Sequence, residues 1–204
     1  MGISGFFKNV IGFVSGGSAT PVSTDNPLPI TAGASNAHIG QTGGTYKRVT
    51  SSIVRPNDTA AYTALDCIND STGAPTLPTL TGCARINAGN GAIIFAALRT
   101  NNKSNTARHK VHIYAQTVTA VADNSGFPIL FANKVKKVGE ILFNAMATEN
   151  ASASDSTGAQ TSDVFLPFEC DTGSTSLYWL LETLDGRTPV AQEEFHLTIG
   201  IDQS

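Results

Sequence analysis

The sequence predicts an all-β fold: a β-sandwich or jelly roll of about eight or nine antiparallel strands behind an extended N-terminal arm carrying a short helix. Three observations lead there. From Tyr46 onward, short runs of Val, Ile, Thr and aromatic residues alternate with clusters of Asn, Asp, Gly and Ser, and no long helical periodicity interrupts them. Charged residues make up only 14% of the 204-residue chain, well under the ordinary share of about 25%, as in a neutral, loop-rich β protein. The first forty-odd residues have a different composition, rich in Gly, Ser and Pro, so the expected organisation is an arm over residues 1–44 and a β-sandwich domain over 45–204.

In the arm, Ile3, Phe6, Phe7, Val10, Ile11 and Val14 recur at the three-and-four spacing of one helical face, with Phe13 beside the stripe and Lys8 and Asn9 opposite. Ser4 is placed to cap that helix and Gly16-Gly17 to end it. A helix so short is marginal alone in water, so it is expected to gain its order against a partner surface. Burying five such side chains contributes roughly 7 to 15 kcal/mol before ordering costs. The rest of the arm, Ser15 to Gly44, has almost no periodicity. Within it Pro27 and Pro29 remove donors and hold Asn26 and Leu28 away from helix, so Pro27, Leu28, Pro29 and Ile30 form an extended docking segment.

Nine strands are expected in the domain: Tyr46 to Val54, Leu65 to Ile68, Leu80 to Ile86, Gly91 to Arg99, Arg108 to Thr117, Lys134 to Phe143, Asp163 to Phe168, Leu177 to Leu184 and Glu193 to Ile201. The last alternates most clearly, with Phe195, Leu197, Ile199 and Ile201 on one face and Glu194, His196 and Thr198 on the other. Leu177 to Leu181 is apolar on both sides, as in a central strand or one meeting a second subunit. Asn101 to Asn105 reads as a hairpin connection, and Asn150 to Ser162 as a long polar loop.

The same composition argues against several functions. With 13 Lys and Arg against 16 Asp and Glu, a net charge of −3 and no polybasic run, nucleic acid is not expected as a partner. Lys134, Lys136 and Lys137 read as a solvated, edge-guarding cluster. Residues 3–14 are too short to span a bilayer, which takes about 20 apolar residues. Lys8 inside the apolar run fits a signal peptide poorly, so no membrane partner is expected. Cys67, Cys83 and Cys170 are widely spaced and odd in number, as in reduced core residues.

No catalytic set emerges. His109 and His112 form an HxxH, but in a strand an offset of three puts them on opposite faces, so no metal site is expected. His38 and His196 have no evident catalytic neighbour, and the pairs Glu193-Glu194 and Asp66/Asp70 single out no acid and base. Phosphate-binding and nucleophile-elbow motifs are missing. The protein is therefore expected to be no enzyme and to need no cofactor. Tyr114, Tyr178 and Trp179 are candidates for a subunit interface or for stacking against a glycan.

Three segments carry a resemblance: Pro21 to Ile30 with its NPLP core, Arg48 to Tyr62 (RVTSSIVRPNDTAAY), and Ser176 to Asp185 (SLYWLLETLD). They resemble structural proteins of tailed-bacteriophage virions, of the capsid decoration or cement type. The resemblance implies a virion component on the capsid exterior, made in the host cytoplasm, with the major capsid protein as its partner. The arm would fasten it to the shell, and the protein is expected to be a homo-oligomer, a dimer or trimer. A glycan-binding head-fibre or tail module, or a neck or tail adaptor, are the alternatives.

Overall fold

The computed structural model describes residues 45–128, 131–149, 157–161 and 164–204, and the backbone of two short strands in the arm. The chain divides into two compact units, Met1–Thr42 and Gly43–Ser204.

In the first unit, β1 (Gly12–Ser15) and β2 (Ser18–Pro21) pair antiparallel, with Phe13 opposite Thr20 and Ser15 opposite Ser18. This corrects the expected helix at its C-terminal end, where Val14 lies on a strand. Aromatic and β-branched residues favour a pleated surface. The remainder of that helix, Ile3, Phe6, Phe7, Val10 and Ile11, and the segment Pro27 to Ile30 lie outside the described residues.

The second unit is a sandwich of two antiparallel sheets. One holds β3 (Thr45–Val54), β13 (Glu194–Gln203), β6 (Asn90–Thr100), β10 (Thr157–Thr161) and β9 (Ala147–Thr148) in that order. β11 (Leu166–Glu169) pairs with the other half of the same β6 edge as β10. The second sheet runs β4 (Cys67–Ile68), β12 (Leu177–Thr183), β7 (His109–Tyr114), β8 (Lys137–Phe143), with β5 (Thr79–Leu80) beside β12.

The alternation read from the last strand holds. Phe195, Leu197, Ile199 and Ile201 are wholly buried between the sheets, and they meet Leu177, Trp179 and Leu181 of β12 and Val111 and Ile113 of β7 in one core. Trp179 is 0% exposed, and its indole Nε1 donates to Ser51 Oγ of β3 at 3.0 Å, a hydrogen bond from one sheet to the other. On the outer face, His196 is exposed but Thr198 is covered, sharing a 3.0 Å hydroxyl contact with Thr50.

Eight of the nine expected strands appear, several of them shorter, and of Leu80 to Ile86 only Leu80 is in a strand. The segment after Leu80 turns instead of continuing, and residues 131–134 form the single helical turn α1 (Phe131–Lys134) ahead of β8. Lys134 thus sits on a helix, while Lys136 donates to Thr117 O and Lys137 pairs with Glu140. The expected loop 150–162 contains β10, whose residues Thr157 and Ala159 turn toward the interior. A strand of such small, polar residues carries almost no hydrophobic signal.

Residues 115–128 add a feature the sequence reading lacked. Val118, Val121 and Phe127 pack over Tyr114, Leu180, Tyr178 and Leu77 on the outer face of the five-stranded sheet. The strap then runs back beside β4, with Cys67 N–H donating to Ser125 O and Phe127 N–H to Leu65 O. It covers one edge of that sheet, and among the described residues no strand pairs with the other edge, β8.

Candidate functional site

Two places concentrate chemistry in the body: a buried polar network at one end of the sandwich and a groove of mixed polar and apolar lining beside β8.

The network begins at Arg55, immediately after β3. Its guanidinium pairs with Asp123 at 2.9 Å, both side chains wholly buried, and with Asp58 at 3.3 Å. Its Nε donates to the Tyr62 hydroxyl, which in turn donates to Asp123 at 2.5 Å. Burial, with Asp123 alongside, pushes the Tyr62 phenol far above its ordinary range. Arg187 lies against the rings of Tyr62 and Phe195, at 5.2 and 5.4 Å from their centroids, and reaches Glu193 at 2.7 Å. The other Glu193 oxygen accepts from Thr100 and Asn105, at 3.0 and 3.1 Å. Asn105 also contacts Nε2 of His109, which is buried edge-on against Phe195.

This arrangement is built to hold segments together. Every carboxylate in it faces a cation or several donors, which a charge needs if it is to lie in a low-dielectric interior. Burial, with Arg187 adding repulsion, lowers the His109 pKa to about 3, so the ring is neutral near pH 7. The thiols are equally unsuited to attack, since burial raises Cys83 to about 12 and Cys170 to about 11, and Cys67 beyond them. Among the described residues no cluster of three His, Cys, Asp or Glu side chains is arranged to hold a metal ion.

His112 points to the opposite side of β7, as the offset of three requires. It stacks on Phe127 at 4.2 Å, contacts Glu182 at 2.9 Å and lies 3.5 Å from Glu140. Lys110 lies 3.5 Å from Glu182 and 3.6 Å from Glu140, bridging the two carboxylates.

The groove is different in kind. It lies between Glu140, Ile141 and Leu142 of β8 and the segment Thr161, Val164, Phe165 and Leu166 of the facing sheet, with a volume of about 330 Å³. Leu166 fills the place a side chain at Gly139 would take. Leu142 is 56% exposed and Phe165 73%, while Phe131 and Val135, on the segment entering β8, are 81% and 87% exposed. Leu142 and Phe165 thus lie exposed at the groove, while Val135 borders a separate hollow with Gln116, Lys136 and Asp171. Water against such apolar surface is costly at roughly 25 cal/mol per Å².

The sequence-derived candidates fall as follows. Trp179 belongs to the core and offers no ring face to a ligand; Tyr114 is 5% exposed beneath the 115–128 strap, and Tyr178 is half-buried in the same cluster. Val14 lies on β1, and the other arm candidates are outside the described residues. Neither the network nor the groove was anticipated. Arg55, Asp58 and Tyr62 do all fall within one of the resembling segments, and Leu142 and Phe165 were visible only as strand residues of unknown facing.

No protein-family model and no curated protein matches the chain. Among solved structures it is similar to a chain of "Cyanophage Pam1 capsid asymmetric unit", at 13% identity over 87% of this chain and 100% of that one, with a TM-score of 0.33. A likeness this shallow assigns no family.

Proposed function

We propose that this protein is a phage virion structural protein, a capsid decoration or cement protein on the exterior of the head. The arm, residues 1–44, binds the major capsid shell, and the sandwich body bridges neighbouring capsomers as part of a homo-oligomer. Added buried area across those joints would resist internal pressure. The observation that carries this reading is that a chain with an apolar stripe in its arm also has a body that exposes Leu142 and Phe165 beside β8. Both are surfaces that want a neighbour. The resembling segments support the virion assignment, and the buried, charge-compensated state of the network supports a structural rather than enzymatic role.

The test is incorporation into particles. Residues 45–204 alone should fold, giving the cooperative unfolding of the whole chain, yet fail to join particles that lack the protein. Equal incorporation with and without the arm would remove the proposal. Copy number separates the adaptor alternative, since a neck or tail component would be present in far fewer copies than the capsomers.

A further inference from the structure

We propose that the polar hollow at the network end of the sandwich is a carboxylate-binding site, in which the free edge of the Arg187 guanidinium grips both oxygens of an acid group. The inference concerns the body alone and does not rest on the virion reading.

Arg187 is the residue that points to it. Its side chain is 8% exposed, and its Nη1 donates to Glu193 at 2.7 Å. Among the described residues four buried side-chain nitrogens lack a hydrogen-bond partner, and two of them are Nε and Nη2 of Arg187. Those two N–H groups share one edge of the guanidinium plane, the edge that takes a carboxylate through two parallel hydrogen bonds. Arg108, at the same end of the sandwich, shows that use: its Nε and Nη2 donate to the two oxygens of Asp185 at 3.1 and 2.7 Å. The rings packed near Arg187 do not serve it in this way. Tyr62 and Phe195 offer no ring lone pairs to an N–H group, and the Tyr62 hydroxyl is engaged by Arg55 and Asp123. A buried donor left unpaired is costly, and two on one group call for an acceptor.

Arg187 belongs to the lining of a hollow of about 270 Å³ between the loop after β6 and the turn after β12. Ser104, Thr106 and Thr188, all exposed, add hydroxyl groups to that lining. The walls are held before any ligand arrives. Ser104 N–H donates to Asn102 Oδ1 and Ala107 N–H to Asn105 Oδ1, with both asparagines buried. Across the hollow, Thr183 Oγ1 donates to Asp185 O, and Arg108 N–H donates to the Asp185 carboxylate, each at 2.8 Å. Walls fixed in this way lose little freedom on binding.

The charges fit an incoming acid. Asp185 is the acidic group in the lining, and its bonds to Arg108 hold its carboxyl down to about 2. Glu193 is occupied by Arg187, Thr100 and Asn105. Both carboxylates at the site therefore have their partners, and the Nε and Nη2 edge has none. A carboxylate suits that edge better than a phosphate does, because it is flat and brings no further oxygens that need donors of their own. Such a group comes from a free small acid or from a Glu side chain of a partner chain.

Nuclear magnetic resonance of the full-length protein tests this, read at the Arg187 Nε–H and at the backbone amides of residues 104–106 and 186–188. The probes are acetate and two peptides, acetyl-Gly-Glu-Gly-amide and acetyl-Gly-Gln-Gly-amide, with ionic strength held constant by chloride. The expected result is a saturable downfield movement of the Nε–H with acetate and with the Glu peptide, and none with the Gln peptide. Tighter binding of the Glu peptide than of acetate identifies a partner side chain as the source, and equal binding a free acid. Thr188→Phe fills the hollow from an exposed position, and Arg187→Lys keeps a charge beside Glu193 but removes the paired donors. Each should weaken binding at least about tenfold. If Arg187→Lys does not fold, Thr188→Phe decides. The absence of saturable movement, an equal response to the two peptides, or unchanged binding in Thr188→Phe overturns the inference. None of these results bears on joining particles, which tests the proposed function separately.

Discussion

At the scale of single residues, the body is held by buried charges whose partners come from distant parts of the chain. Arg55 and Asp123 are wholly buried and hydrogen-bonded to one another and to Tyr62. Asp123→Ala leaves the buried guanidinium with only the part-exposed Asp58 as carboxylate partner and should cost about 3 to 5 kcal/mol. Urea unfolding followed by the emission of Trp179, the one tryptophan of the chain, would measure it; a loss below about 1 kcal/mol would mean that the charge is reached by water. His109 predicts a pH dependence. Its folded pKa, about 3, lies below the ordinary 6.5, so between these values the unfolded chain binds the extra proton. Stability then rises with pH across that window and is full above it, with a slope from this group of at most about 1.4 kcal/mol per pH unit. His109→Gln should flatten the slope between pH 3 and 6.5, and an unchanged slope would exclude His109 as its source. None of these roles was legible in the sequence. A lone Arg, Asp or His has no periodic signature, and its partner is set by tertiary contact.

At the scale of elements, legibility followed the strength of alternation. β13 could be read side chain by side chain because its inward residues are large and its outward ones polar. β6 kept its place, and its near-continuous apolar run gave no facing to read. A bulge opposite Gly200/Ile201 lets Ile94 and Phe95 both turn away from the core between buried Ile93 and Ala96, and an inserted residue shifts the register that pattern reading assumes. The end of the arm stripe was misassigned because over twelve residues the apolar positions satisfy a helical pattern, whereas Phe13, Val14 and Thr20 are of types that favour strands. Close packing in β6 also gives a contrast between glycines. A Cβ at Gly91 would lie 2.7 Å from Asp202 O, a backbone atom, whereas Gly73 and Gly126 have open space. Gly91→Ala should lose about 1 to 3 kcal/mol by overpacking. Gly126→Ala should be neutral or gain up to about 1 kcal/mol through the unfolded chain. Thermal unfolding of the two variants side by side would decide, and equal midpoints would contradict the packing described for β6.

At the scale of the whole molecule, the account rests on where this chain leaves apolar surface unspent. Its core is closed and its buried charges are compensated, and among the described residues exposed large side chains lie at several places, Leu142 and Phe165 beside β8 among them. The sequence made the arm and the fold class visible because both are written in composition and period; the place of β8 at an edge depended on which strand ended each sheet, which only the assembled topology reveals. The most direct test is to image purified virions carrying a label at the exposed C-terminal Ser204. The account predicts label distributed over the outside of the head in step with the capsomers. Label confined to the neck or tail, or missing from the particle, would contradict it.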